Sequence, residues 1–408
     1  MAITIPSPLF PKYEELRDIR ISDYPSLVTL IDDPGKQADW EQAKNFLIYV
    51  GKHKSVNTFT RFRGEVEKLL LWLFLVKLQP LESLRKSDLL EYIEFFWKPP
   101  KTWMCFGNFE RFKESNGLFN VNEQWRPYKV TVPKSSGFEP DKSKYRPSQQ
   151  SLSSLFTAIN AFFKHLYEEE YLVANPVPLA KKDCKYFIKD AQVKDVKRLS
   201  EDQWMYVINT CTDLANTNEY FERNLFLIVS LKSLFLRISE LSDRPEWQPT
   251  MGHFWKDHDK NWWLKIYGKG RKLRDVTVPD SYLDYLRRYR AHQNLSALPS
   301  PGENNPIIYK LRGPGSPTSR QLFRLVQESF DEAYVRMKSE QGSERAQQLK
   351  EASTHWLRHT GASMEIERGR ELKDVSEDLG HSSMATTDTI YVHSENKKRA
   401  ASGRNRKV

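Results

Sequence analysis

At 408 residues the chain is long enough for two domains, and a composition 39% hydrophobic and 12% aromatic supplies each with material for a core. Lys and Arg outnumber Asp and Glu by 63 to 53, a formal charge of +10, which suits a polyanionic partner without requiring one. Three scattered cysteines (Cys105, Cys184, Cys211) form no disulfide framework or zinc module, the start of the chain lacks the form of a secretory signal, and the apolar run Leu69–Val76 is too short to span a bilayer.

A soluble protein of the reducing cytoplasm, not associated with a membrane, is therefore expected. Residues 1–35 carry several prolines and little periodicity, and read as an N-terminal extension. Helical spacing begins at Gln37–His53 and continues over Asn57–Leu78, where Phe59, Phe62, Val66, Leu69, Leu70 and Leu73 share a face. A third helix is expected over Ser87–Trp97, capped by Ser87. Residues 98–147 lose the pattern and read as an insertion with loop character, rich in Pro, Gly and Ser, whose aromatics Trp103, Phe106, Phe109, Trp125 and Tyr128 either fold it into its own domain's core or dock it on a partner. A helix returns after Pro147, so residues 36–180 form one helical unit with an insertion. Residues 181–199 look like a basic linker.

Ser200 and Gln203 form a capping box that opens a second unit, residues 200–396. Two helices precede a strand-rich stretch: His253–Trp255, Trp262–Tyr267 and Asp275–Val278, with Gly268-Lys269-Gly270 as the turn between the last two. Helices are expected again over Asp280–His292, Thr318–Lys338, Thr354–Arg368, Glu371–Leu379 and Met384–His393. Residues 397–408 form a basic tail.

Five islands in the second unit carry the chemistry. They are Leu236-Arg237-Ile238-Ser239-Glu240-Leu241, the hairpin Tyr267 to Val276, the helix start Thr354-His355-Trp356-Leu357-Arg358-His359, then Leu379-Gly380-His381-Ser382-Ser383, and Thr386 to Tyr391. A phosphodiester under attack gains charge on its non-bridging oxygens, and the planar forks of Arg237 and Arg358 match such oxygens. His355, one turn before Arg358, can pass a proton. Lys269, or alternatively Lys272, can protonate a leaving sugar oxygen from the mobile hairpin tip. Tyr391 offers a phenolic nucleophile. Bland readings exist for each: Arg237 can pair with Glu240, and the basic hairpin can be solvated. His355 and His359 have the spacing of zinc ligands, but Trp356 stands where a metalloprotease would need Glu.

In order and wording these islands resemble the catalytic domain of the tyrosine recombinase (phage integrase) family over about residues 200–395. The resemblance implies a mainly α protein, a helical core-binding domain plus a mostly helical catalytic domain with a small antiparallel sheet. It assigns Arg237, Lys269, His355, Arg358, His381 and Tyr391 to the catalytic positions, with Glu240 in support. It implies cleavage through a 3′-phosphotyrosine without cofactor or metal, on double-stranded DNA, by a homotetramer aided by accessory bending or excision factors. Integration and excision of a mobile element is the expected role. A resolvase or inversion enzyme is the alternative, and a monomeric type IB topoisomerase a more distant one. The spacing from His381 to Tyr391 is one residue longer than is common in the family, which leaves the register of the tyrosine open. Candidate DNA contacts are Arg271 and Lys272 on the hairpin, Arg320, Gln321 and Arg324 on the Thr318 helix, and Thr58, Arg61 and Arg63 in the first unit.

Overall fold

The computed structural model describes residues 4–132, 138–188, 197–268, 270, 272–380 and 402–404. The chain divides into two compact units, with the change falling at Ala191 and Gln192. Among the described residues no helix is long and apolar enough to cross a membrane.

The first unit is built on three long helices. Asp33 caps α3 (Pro34–His53) by accepting from the Lys36 amide, and Trp40, Ala43, Phe46, Leu47 and Val50 form its buried stripe. The preceding short helices are α1 (Tyr13–Arg17) and α2 (Pro25–Leu30). Ser55 caps α4 (Val56–Trp72), which runs on as a π-helical turn to Lys77 and stops at Leu78 in the left-handed conformation. Helix α5 covers Lys86–Trp97, and its first turn is closed by Asp88 accepting from the Arg85 amide, so Ser87 is not the cap. Strands β1 (Met104–Cys105), β2 (Phe112–Ser115), β3 (Leu118–Val121) and β4 (Tyr128–Lys129) precede α6 (Gln149–Glu168), which packs on α3 and α4, and α7 (Val177–Asp183).

Two expectations are corrected here and one left open is decided. The first 35 residues are no loose extension: Leu9 and Phe10 are 0% exposed, and Phe10 stacks on Trp40. The extended backbone there has no ladder to join, so side chains satisfy it. Glu67 accepts from the Leu9 amide at 2.9 Å, and Trp40 donates to the Leu9 carbonyl at 3.1 Å. For the 98–147 stretch the structure decides between the two readings: it completes the core of its own unit. β1 pairs with β4 in parallel, β2 and β3 form a hairpin turned by Asn116 and Gly117 at positive φ, and Trp103, Trp125 and Tyr128 lie in the same core as α3 and α4. Of the aromatics singled out, Phe106 is exposed. Finally, the supposed linker begins inside this unit, because α7 buries Val177 and Ala180 and Cys184 is buried beyond it.

The second unit opens with α8 (Glu201–Thr217), under the Ser200–Gln203 capping box, and α9 (Glu222–Ser233). A three-stranded antiparallel sheet follows in the order β5 (Phe254–Lys256), β6 (Trp262–Tyr267), β7 (Leu273–Val278), with Tyr267 opposite Leu273 at the hairpin end. Alternation along β7 turns Val276 and Val278 inward, and Arg274 with them. Helices α10 (Asp280–His292), α11 (Ser319–Gln341), α12 (Ser343–Glu351), α13 (Thr354–Glu367) and α14 (Leu372–Leu379) complete the unit. A β-carbon on Gly361 of α13 would stand 1.9 Å from the Lys232 carbonyl oxygen, so the absence of a side chain lets α13 lie against α9. The expected Met384–His393 helix lies outside the described residues.

Candidate active site

The site starts where α9 ends. Leu234, Phe235 and Leu236 are buried, Phe235 at a φ of 49°, and the chain then turns through a short 3₁₀ segment, Ile238–Glu240, instead of a longer helix. Arg237 sits at the start of this turn. Its amide donates to Glu240 Oε2 at 2.7 Å and its Nη1 to Oε1 at 3.1 Å, so the pairing weighed from sequence is present. The same carboxylate has a second cation. Arg274 of β7 donates Nη1 to Oε1 at 2.7 Å and Nη2 to Oε2 at 2.9 Å, the two-point geometry that suits a guanidinium and a carboxylate. Glu240 is 1% exposed. Burial alone would raise its pKa, but the bonds and charge of Arg274, the Arg237 amide and the charge of Arg358 overcome that and hold it below the usual range.

Arg358, on the first turns of α13, is 2% exposed and donates to the Phe235 and Leu379 carbonyls. It thereby ties the segment before Arg237 to the end of α14. Burial first, and then Arg237, work against its charge, while Glu240 favours it. His355 lies one turn earlier on α13, its ring stacked on His359 with centroids 6.1 Å apart. Partial burial, then Arg358 and Arg237, hold the His355 imidazole below its ordinary pKa, which favours the neutral, proton-accepting form. Burial pushes His359 down to about 4, in keeping with a packing role.

Arg237, Glu240, His355 and Arg358 are thus brought together from two distant stretches of chain. Lys269, Arg271, His381 and Tyr391 lie outside the described residues. Lys272 is exposed at the hairpin, as are Arg320, Gln321 and Arg324 on α11, although the Gln321 side-chain oxygen is occupied in accepting from Thr318. In the first unit Arg61 is exposed, Thr58 is half-buried with its hydroxyl 3.0 Å from Ser55, and Arg63 needs correction as a DNA contact. Arg63 is buried, donates to the Pro11 carbonyl and lies over the Phe59 ring, because the folded N-terminal segment covers that face of α4.

Sequence reasoning missed Arg274, Asp378, Thr277 and Arg370. Arg274 also donates Nε to the Asp378 carbonyl at 2.9 Å. The Asp378 carboxylate accepts from the Thr277 amide at 3.0 Å, from its hydroxyl, and from Arg370, fastening α14 to β7. The available signal was strand alternation: an arginine in phase with Val276 faces inward and needs a partner. Among the described residues no group of three His, Cys, Asp or Glu side chains is arranged to hold a metal.

Two arginine forks, one turned by a buried carboxylate and one bonded to two carbonyls, beside an imidazole, are chemically able to meet an oxyanion such as a phosphate. Residues 197–398 match the phage integrase family. Tyrosine recombinase XerD of Staphylococcus saprophyticus is 27% identical over 60% of this chain and 72% of its own length, and XerC of Chlorobaculum parvum 25% over 76% and 83%. The fold is shared with the XerH site-specific recombinase bound to a palindromic difH substrate (TM-score 0.57, 14% identity, 96% of this chain and 92% of that one). It is shared too with the Tn1549 transposon integrase in complex with transposon right end DNA (TM-score 0.52, 14% identity, 90% and 98%). The chain belongs to the tyrosine recombinase family. It is a site-specific DNA recombinase of mainly helical fold.

Proposed function

We propose that this recombinase cleaves each strand of double-stranded DNA with Tyr391 and acts in integration and excision of a mobile element. The Tyr391 phenol oxygen attacks the scissile phosphorus, the 5′ oxygen leaves with a proton from Lys269, and a 3′-phosphotyrosine remains. Attack by the 5′-hydroxyl of a partner strand re-forms the diester and releases the tyrosine, so no external energy source enters. Arg237 and Arg358 stabilise the charge on the phosphorane oxygens, His355 and His381 handle protons or donate to the phosphate, and Glu240 orients Arg237. Four protomers on two synapsed duplexes supply the four strand cleavages.

The observation that carries this reading is the convergence of Arg237 and Arg358 on one buried carboxylate, with His355 beside the two arginines. A nicked suicide substrate tests it. The protein is expected to give a denaturant-resistant DNA adduct that forms in the presence of EDTA, and Tyr391→Phe to give none. An adduct persisting in the Phe variant refutes the assignment. The orientation of the sites in full recombination products separates integration from resolution or inversion.

A further inference from the structure

Three guanidinium groups, of Arg237, Arg274 and Arg358, share the neighbourhood of one carboxylate, Glu240. The roles of Arg237 and Arg358 follow from their place in the proposed site. Arg274 is different: it faces inward from β7, and all its described bonds go to protein groups, with Nη1 and Nη2 on Glu240 and Nε on the Asp378 carbonyl. Glu240 is needed, because its oxygens hold both the amide and the fork of Arg237. Yet its negative charge stands beside the cation that must meet a phosphate. If Glu240 had Arg237 as sole partner, the two charges would largely cancel.

We propose that Arg274 is a positioning residue for strand cleavage that neutralises Glu240, so that Glu240 orients Arg237 without quenching its charge. With Arg274 in place its charge offsets that of Glu240 and leaves the Arg237 charge to act on the phosphate; without it Glu240 and Arg237 would largely cancel. The bonding fits this division. Arg274 donates one bond to each Glu240 oxygen, at 2.7 and 2.9 Å, whereas the Arg237 fork makes a single longer bond at 3.1 Å and stays 21% exposed. The glycines on either side of the site also bear on it. A β-carbon at Gly268, the neighbour of Lys269, would stand 2.9 Å from Arg274 Nη1, and one at Gly380, the neighbour of His381, would stand 2.7 Å from its Cδ. The lack of side chains at both positions lets the chain pass against the Arg274 stem and fork.

This inference rests on the proposed phosphotyrosine chemistry, and the two fail separately. Single-turnover adduct formation on a nicked half-site, at saturating DNA, is compared for the unsubstituted protein, Arg274→Gln, Glu240→Gln and the double variant. A unit charge left uncompensated about 8 Å away, at an effective dielectric of about 20, slows the step roughly thirtyfold, and Arg274→Gln is expected to show that loss with DNA affinity little changed. The double variant restores the charge balance by removing both charges, so it should react faster than Arg274→Gln alone. An anchoring role alone would make the double variant as slow or slower, and that result overturns the proposal. Arg274→Lys keeps the charge and loses the fork. It is expected within a few-fold of the unsubstituted protein, and a rate as low as that of Arg274→Gln also overturns the proposal. Should Arg274→Gln be insoluble, the Lys and double variants decide the matter: a charge role leaves both active, an anchoring role neither. No adduct from the unsubstituted protein would instead sink the Tyr391 reading.

Discussion

Replacing Glu240 by alanine should destabilise the second unit well beyond the loss of a surface ion pair. The carboxylate is 1% exposed and accepts four hydrogen bonds, from the Arg237 amide, Arg237 Nη1, Arg274 Nη1 and Arg274 Nη2. Removing it takes away the carboxylate around which Arg237, Arg274 and buried Arg358 gather. Charge-assisted bonds contribute about 1.5–3 kcal/mol each, but these four share one acceptor and do not add. Breaking a buried pair by deleting one partner costs about 3–5 kcal/mol. For a unit of roughly 200 residues each kcal/mol moves Tm by about 2–4 °C, so a fall of about 6–20 °C is expected. Differential scanning calorimetry measures it directly. Sulfate, at the ionic strength of a chloride control, should recover part of the loss by entering among the three guanidinium groups. A fall of less than about 3 °C, or equal recovery in chloride, would refute the view that Glu240 holds this cluster together.

Gly361→Ala forces a side chain against the Lys232 carbonyl and the Phe235 ring, at 1.9 and 2.9 Å, and must push α13 from α9. A cost of about 1–3 kcal/mol or more in urea unfolding is expected, with unchanged stability as the contrary result. In the first unit burial raises the Asp39 carboxyl to about 6, against the opposing bonds from the Leu81 amide and the Tyr171 hydroxyl. The folded state therefore binds more protons than the unfolded state between pH 4 and 6, and stability falls as pH rises through that window. The full loss is about 3 kcal/mol, and Asp39→Asn should abolish the slope; parallel pH profiles of variant and parent would exclude Asp39 as its source. Arg61→Ala should reduce the salt dependence of DNA binding by about one unit of slope with Tm unchanged, whereas Arg63→Ala should lower Tm and leave the slope alone. A reversal of the two patterns would put Arg63, not Arg61, on the DNA.

Much of the helical framework was legible from local signals, because capping and apolar spacing act within a turn or two. The Ser200–Gln203 box, the α10 limits Asp280–His292 and the β6 strand Trp262–Tyr267 are all found where spacing put them. Lost were elements whose stability is not local. Residues 8–11 are extended and aperiodic, and among the described residues Glu67, Trp40 and Arg63, dozens of positions away, give their backbone partners. The β1–β4 pair has two residues per strand, too few for alternation to register, yet it helps bring Trp103 and Tyr128 into the core. Arg63 shows the same limit from the other side, since helical phase alone could not tell that a distant segment covers it.

The active site divides along the same line. Sequence by itself determined which chemical groups are present and in what order, because the islands around Arg237, His355 and Arg358 carry their chemistry in the residue types themselves. Tertiary structure decided which charges meet. Arg237 and Glu240 are three residues apart and could be paired on paper, but Arg274 reaches Glu240 across 34 positions, and Arg358 reaches the Phe235 carbonyl across 123. Such contacts depend on the twist of a strand and the close approach of two helices, and buried charges are costly enough that the fold must supply a partner for each.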